Sequence, residues 1–123
     1  MNKYKSLLFV LISLLLLSPL HSNELVQGIG NSMSPTYPHG QWYEVEREYD
    51  YSKLKVGDVV VREIKINRNN KRIKIKITHR LNQYIFPFGW ITKGDGNKSL
   101  DWGFMGRKDF WGLARPVGQN SAR

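Results

Sequence analysis

The chain has 123 residues, of which 41% are hydrophobic and 24% charged, proportions typical of one globular domain rather than of a disordered or collagen-like chain. It contains no cysteine, which excludes a disulfide framework, a thiolate metal site and a thiol nucleophile. The formal net charge of +9 indicates an anionic neighbour, either nucleic acid or an anionic lipid surface.

Residues 1–22 have the pattern of a targeting segment. Lys3 and Lys5 precede an apolar run that extends from Leu7 to Leu17, which predicts an apolar helix acting as a secretory signal or a short signal anchor. Lysines on the N-terminal side predict that the remainder of the chain lies outside the cytoplasm. We expect a retained anchor, with secretion as the alternative if the leader is cleaved. This location favours a membrane surface over nucleic acid as the partner of the basic charge.

The next feature is a serine in a segment rich in glycine and proline. Residues 30–36 read GNSMSPT, and Gly28 and Gly30 allow a sharp turn before Ser32. Pro35 restricts its own backbone and that of the preceding residue. We therefore expect Ser32 to lie on a rigid, strand-like segment.

The elements that follow predict a mainly β domain over residues 23–118, with a polar tail at 119–123. We expect a small antiparallel sheet that closes into a barrel-like shape. Turn signals occur at residues 38–40, 57–58, 67–70 and 87–89. The predicted strands are residues 42–46, 59–61, 64–66, 71–81, two short apolar strands on either side of Pro87, and residues 111–117.

The pattern of the second arm of the predicted hairpin predicts the direction of a histidine side chain. Ile73, Ile75 and Ile77 alternate with cationic residues, so the isoleucines should face the core and the cations should face water. His79 continues the isoleucine positions and should point to the core side at one end of the strand. It is a candidate base, and the alternative is a core histidine bonded to a backbone carbonyl.

The aromatic residues allow two interpretations. A core role is expected, and the alternative is an aromatic edge beside a membrane. The residues concerned are Trp42, Tyr84, Phe86, Phe88, Trp90, Trp102, Phe104 and Trp111.

Two carboxylates follow in a glycine-rich segment, Asp95 and Asp101. A loop acid can orient a histidine by accepting its second N–H. Such loops also bind calcium, but Asp95, Asn97 and Asp101 are too few ligands, and Lys98 lies between them. Solvated turn acids are the remaining alternative. No metal or cofactor is expected.

Four stretches, taken in order, resemble the type I signal peptidase family: GNSMSPT at 30–36, VGDVVV at 56–61, THR at 78–80, and TKGDGN at 92–97 with Asp101 beyond. The resemblance covers residues 28–117. His79 stands where most bacterial members have a lysine, so the chain looks more like the branch of the endoplasmic reticulum, archaea and some Gram-positive bacteria, which uses a Ser-His-Asp triad.

The resemblance implies roles for particular residues. Ser32 matches the nucleophile, His79 the general base, and Asp101 the orienting acid, with Asp95 as a second supporting acid. Gly30 stands where many members have a hydroxyl at the oxyanion hole. The Ser32 N–H and Asn31 would then have to serve, with Met33 as the other flanking support.

The resemblance implies a membrane-anchored, monomeric serine endopeptidase that removes signal peptides from exported preproteins after small residues. Two alternatives stay open. One is a non-catalytic cationic β domain that binds membrane lipid or wall polymer. The other is a self-cleaving repressor-like peptidase with a Ser-Lys dyad that uses Lys65, Lys74 or Lys76.

Overall fold

The computed structural model describes residues 23–118 and contains six β-strands and two single-turn 3₁₀-helices. The targeting segment predicted at 1–22 and the tail predicted at 119–123 lie outside the described residues. Within residues 23–118, no helix has the length and apolar character needed to cross a membrane. The strands are β1 (Glu24–Gln27), β2 (Trp42–Glu46), β3 (Val59–Arg68), β4 (Lys71–Ile85), β5 (Gly89–Lys93) and β6 (Phe110–Pro116), and the 3₁₀-helices are Tyr51–Lys53 and Arg107–Asp109.

All six strands form one antiparallel sheet in the order β1-β2-β6-β3-β4-β5. The prediction of a mainly β, antiparallel domain is therefore confirmed. The expected barrel-like closure is wrong, because β1 and β5 are the two edges and do not pair with each other. β1 has only four residues, all paired with β2, and β5 pairs with Arg80–Ile85 of β4 and, at Trp90, with Met105 in an isolated bridge.

The β3–β4 hairpin is the longest element of the sheet. Its register runs from Val59 opposite Arg80 to Arg68 opposite Lys71. Asn69 and Asn70 have φ angles of 51° and 61°, the left-handed backbone of a two-residue hairpin turn, which asparagine tolerates well. The turn is shorter than the predicted residues 67–70, because Asn67 and Arg68 still pair with Arg72 and Lys71.

The sheet has a hydrophobic core on each face. Val59 and Val61 pack in one cluster and Val60 in the other, because successive side chains of a strand point to opposite faces. The first cluster contains Met33, Tyr43, Val45, Val59, Val61 and Ala114. The second contains Leu54, Val60, Leu81, Trp90, Met105 and Leu113.

Several aromatic side chains are not in these cores. Phe86, Phe88 and Trp102 are 83%, 62% and 98% exposed, whereas Trp90 is 7% exposed. The expected core role is thus wrong for the first three, and also for Trp42, Tyr84 and Phe104, which are exposed as well. Phe86 and Phe88 lie in the connection between β4 and β5, beyond the paired residues, and Trp102 lies in the loop after β5.

The serine segment also differs from its prediction. Residues 32–36 form turns rather than a strand-like segment. The Ser34 N–H donates to the Asn31 carbonyl at 3.0 Å, and the Tyr37 N–H donates to the Met33 carbonyl at 2.9 Å. Burial of the Met33 side chain holds this turn against the first core. Strand β1, just before it, was not predicted, because its four residues are too few to show a period.

Gly112 of β6 packs closely against β2. A Cβ at this position would lie 2.5 Å from Val45 Cγ1 and 2.9 Å from the Glu46 carbonyl oxygen. We expect Gly112→Ala to lower the free energy of unfolding by about 1–3 kcal/mol, because overpacking forces the two strands apart. Urea unfolding measures this. Gly106→Ala is the matched control, since its nearest contact would be 3.7 Å away, and equal losses in both variants would contradict the packing argument.

Candidate active site

Ser32 is held against the glycine-rich loop that follows β5. Its carbonyl oxygen accepts the Gly96 N–H at 2.7 Å. Gly94 and Gly96 are needed for this approach, because a Cβ on Gly94 would lie 2.5 Å from the Ser32 carbonyl oxygen and one on Gly96 would lie 2.6 Å from the Ser34 carbonyl oxygen. The serine turn and the loop that contains Asp95 are therefore packed directly against each other.

His79 lies on β4 and is 7% exposed, on the core side of the strand as its position in the repeat predicts. Its Nδ1 lies 2.5 Å from Asp101 Oδ2, and the Thr92 hydroxyl donates to the same oxygen at 2.7 Å. An ionised carboxylate only accepts hydrogen bonds, so Nδ1 carries the proton. The neutral imidazole consequently presents Nε2 as an acceptor.

The carboxylate of Asp101 is stabilised in its ionised form. Burial alone would raise the pKa of Asp101, but hydrogen bonds from His79 and Thr92, with the charges of His79 and Arg62, outweigh it and leave the pKa below its usual value. An ionised acid at Nδ1 is the partner that stabilises a protonated imidazole.

Arg62 and Thr92 were not among the predicted site residues. Arg62 is 3% exposed, and its Nη1 donates to Thr92 Oγ1 at 3.1 Å. A buried chain of polar groups thus runs from Arg62 through Thr92 and Asp101 to His79. The available signal was an arginine directly after the buried valines of β3, since an arginine is seldom fully buried without a partner.

Ser32 and His79 share a cleft of about 190 Å³, referred to below as the serine cleft. The Ser32 carbonyl oxygen and His79 Nε2 lie 2.5 Å and 3.0 Å from the point that a Gly94 Cβ would occupy, so Nε2 lies close to the serine turn. Among residues 23–118, no hydrogen bond joins the two side chains. Val26, Gly28, Ile29, Gly30, Tyr43, Val61, Lys76 and Ile77 are among the other residues that line this cleft.

In the described residues, Asp95 forms no hydrogen bond or ion pair with His79. It accepts two hydrogen bonds from Arg80, at 2.9 Å from Nε and 2.7 Å from Nη2, while Arg80 Nη1 donates to the Gly57 carbonyl at 2.8 Å. The hydrogen bond from Arg80 is the main reason why the pKa of Asp95 is lowered. The Asp95 N–H points to Met33 Sδ at 3.4 Å. Asp95 therefore joins the loop after β5 to Arg80 on β4, and Met33 joins the same loop to the serine turn.

Two residues just before Ser32, Gly30 and Asn31, bear on which groups could donate hydrogen bonds to an oxyanion. The Gly30 N–H donates to His39 Nδ1 at 2.7 Å, so it is engaged within the turn. Asn31 is exposed, and its carbonyl belongs to the hydrogen bond with Ser34.

In the described residues, no group of three or more histidine, cysteine, aspartate or glutamate side chains is arranged to hold a metal ion. The site brings an imidazole and a carboxylate into contact, and a serine lines the same cleft as the imidazole. Such a set is suited to proton transfer and nucleophilic attack.

A scan against protein-family models, a search of curated proteins and a search of solved structures each found no match.

The Arg80–Asp95 pair predicts an acid-sensitive part of the stability. Because the folded-state pKa of Asp95 lies below its ordinary value of 3.8, the pair stabilises the fold above that pH and is lost as the pH falls through the folded-state value. We expect Asp95→Asn to be less stable than wild type at pH 7 and the difference to shrink below about pH 4. Urea unfolding over a pH series measures it.

Glu48→Gln is the control for this series, because Glu48 is an exposed carboxylate outside the pair. A difference between Asp95→Asn and wild type that stays constant from pH 7 into the acid range would contradict the assignment.

Proposed function

We propose that the protein is a serine endopeptidase of the signal peptidase type, which cleaves exported preproteins after small residues. The observation that carries the proposal is the serine cleft, in which Ser32 lies beside a histidine whose Nδ1 is bonded to Asp101. The ordered resemblance of residues 28–117 to type I signal peptidases is the second support. The finer fold assignment, a signal-peptidase catalytic domain after an N-terminal apolar helix, belongs to the same proposal.

In the proposed reaction, His79 Nε2 takes the proton of Ser32 as its Oγ attacks the carbonyl carbon of the scissile peptide. The tetrahedral intermediate collapses with cleavage of the C–N bond, and the imidazolium returns the proton to the leaving amine. Water then attacks the acyl-serine as His79 takes its proton; the ester C–O bond to Ser32 Oγ breaks, and the imidazolium returns the proton to that oxygen, which releases the carboxylic acid product and restores Ser32. Asp101 holds the imidazole in the required tautomer and stabilises its positive charge. These steps use side chains of the chain itself.

The developing oxyanion needs hydrogen-bond donors near Ser32, each worth ~3–4 kcal/mol in other enzymes. The Ser32 N–H is the proposed first donor and Asn31 the proposed second. Since the Gly30 N–H is engaged by His39, it does not fill this role in the described conformation.

The substrate is proposed to bind as an added strand. Residues 71–79 of β4 pair on one side with β3, and β1 pairs only with β2, so within residues 23–118 both strands keep an unpaired edge. β1 and this part of β4 both contribute residues to the serine cleft. An extended peptide could form main-chain hydrogen bonds there. The small volume of the cleft favours small side chains next to the scissile bond.

We also propose that the protein is a monomer and that it acts at a membrane surface. The leader predicted at 1–22 would anchor a monomer at a membrane surface with the domain on the extracytoplasmic side, as the basic charge favours. Preproteins leaving the membrane would then reach the serine cleft.

Substitution of the proposed catalytic residues gives the first test. We expect Ser32→Ala and His79→Ala to abolish cleavage of a preprotein with an Ala-x-Ala site, because one removes the nucleophile and the other its base. Lys76→Met is the matched variant, since Lys76 also lines the cleft and would be the base in a Ser-Lys dyad. Its ammonium lies over the Trp111 ring, 5.2 Å from the centroid, so we expect activity to remain. Product masses from the purified full chain measure all three.

Loss of cleavage in Lys76→Met with retention in His79→Ala would replace the triad by the Ser-Lys alternative. The non-catalytic cationic domain is a second candidate, favoured by the exposed aromatic residues. It predicts that Ser32 fails to react with a serine-acylating probe of the β-lactam or lipopeptide type.

Substitutions at Thr92 test whether its hydrogen bond to Asp101 is required for activity. We expect Thr92→Val to lower kcat about tenfold with little change in KM, because loss of a hydrogen bond to a charged group costs roughly 1.5 kcal/mol and Thr92 does not line the serine cleft. Thr92→Ser should retain most of the activity, since it keeps the hydroxyl. Equal activity of the Val and Ser variants in steady-state assays would show that this bond is not required.

A further inference from the structure

A second cleft, the aromatic cleft, has a volume of about 640 Å³ and shares no residue with the serine cleft. Its walls come from the β3–β4 hairpin, the β4–β5 connection and the loop before β6. Its lining includes three lysines and three aromatic residues: Lys65, Lys74, Lys108, Phe88, Trp102 and Phe104.

The aromatic wall of this cleft is exposed to solvent. Trp102 is 98% exposed, and Phe88 and Phe104 stack with their ring centroids 5.3 Å apart. Phe86, 83% exposed, lies two residues from Phe88 in the same connection. Several large aromatic side chains gathered on one surface are unusual unless the surface contacts a membrane or another molecule.

The same cleft carries an excess of positive charge. Lys65 and Lys74 lie directly opposite each other in the hairpin, an arrangement that is unfavourable for two like charges. In the described part of the chain, Lys65, Lys74 and Lys108 form no salt bridge. Two carboxylates also line the cleft, Glu63 and Asp109, and the latter accepts the Gly106 N–H at 3.1 Å.

Arg62 also lines the cleft as a buried cation. Its Nη1 is bonded to Thr92, but its Nε is buried and, among the described residues, has no hydrogen-bond partner. The cleft therefore has four cationic residues against two carboxylates. An anion placed there would relieve the repulsion between Lys65 and Lys74.

We propose that the aromatic cleft is the surface by which this domain docks on an anionic phospholipid bilayer. Trp102 and Phe86 would enter the interfacial region, where aromatic rings are favoured, and the three lysines would face lipid phosphates, to which juxtamembrane cations are attracted. Aromatic and basic side chains on one surface fit a bilayer better than a soluble anion, which would leave the exposed rings in water. This surface would act in addition to the leader, and the membrane association proposed above does not depend on it.

The absence of cysteine from all 123 residues permits a direct test in the full chain. Trp102→Cys and Val56→Cys are each labelled with the same environment-sensitive fluorophore, in a Ser32→Ala background so that cleavage plays no part. Val56 is 64% exposed and lies outside the aromatic cleft, which makes it the matched control. Emission is recorded with vesicles of phosphatidylcholine alone and with vesicles that also contain phosphatidylglycerol.

We expect a blue shift at position 102 with the phosphatidylglycerol vesicles, little shift at position 56, and loss of most of the shift when Lys65, Lys74 and Lys108 are all changed to Gln. An unshifted position 102, equal shifts at both positions, or a shift that depends neither on phosphatidylglycerol nor on the lysines would each overturn the proposal. A shift produced by soluble glycerol phosphate but not by vesicles would also overturn it.

Peptidase activity is measured separately on the chain with Ser32 intact, using a soluble peptide substrate. Lys108→Gln, which lies outside both the serine cleft and the β4 edge, should cleave as wild type does. Failure of the docking surface and failure of the peptidase proposal are therefore distinguishable.

Discussion

The hydrogen bond between His79 and Asp101 depends on the register of three neighbouring strands. His79 on β4 lies opposite Val60 on β3 and two residues from Leu81, which lies opposite Thr92 on β5. Residues related in this way share one face of the sheet, so β4 and β5 bring His79 and Thr92 together around the carboxylate of Asp101. A slip of one residue would move His79 to the other face. The two-asparagine hairpin turn, far from the site, therefore helps to determine its geometry.

Backbone contacts provide the second constraint. The serine turn and the loop after β5 approach each other so closely that only glycine fits at residues 94 and 96. The Asp95 N–H also points to Met33 Sδ of the serine turn, and Arg80 joins the same loop to β4. The serine is thus positioned mainly by main-chain hydrogen bonds and packing, while the histidine is positioned by a side-chain network. Because Ser32 and His79 are positioned by different interactions, a substitution can displace one of them without displacing the other.

The parts of the structure that could be predicted from the sequence depend on local periodicity. Alternation in residues 71–81 placed His79 on the buried side of its strand, and turn residues marked the ends of the hairpin. Closure of the sheet could not be predicted, since it depends on whether β1 and β5 reach each other. The exposure of Trp102 was missed because an aromatic side chain in a loop has no period. Likewise, the partners of Arg62 and Asp95 come from strands that are distant in sequence, so no local pattern indicates them.

The unpaired edge of β4 has a consequence for how copies of the protein meet. Exposed strand edges offer backbone N–H and C=O groups to any extended segment, including the same edge of a second molecule, and this is a common route to aggregation. Here the strand alternates isoleucine with Arg72, Lys74 and Lys76, and two such strands brought edge to edge would set their cations against one another. The basic charge thereby acts as a barrier to self-association, which leaves the edge accessible to chains that lack it.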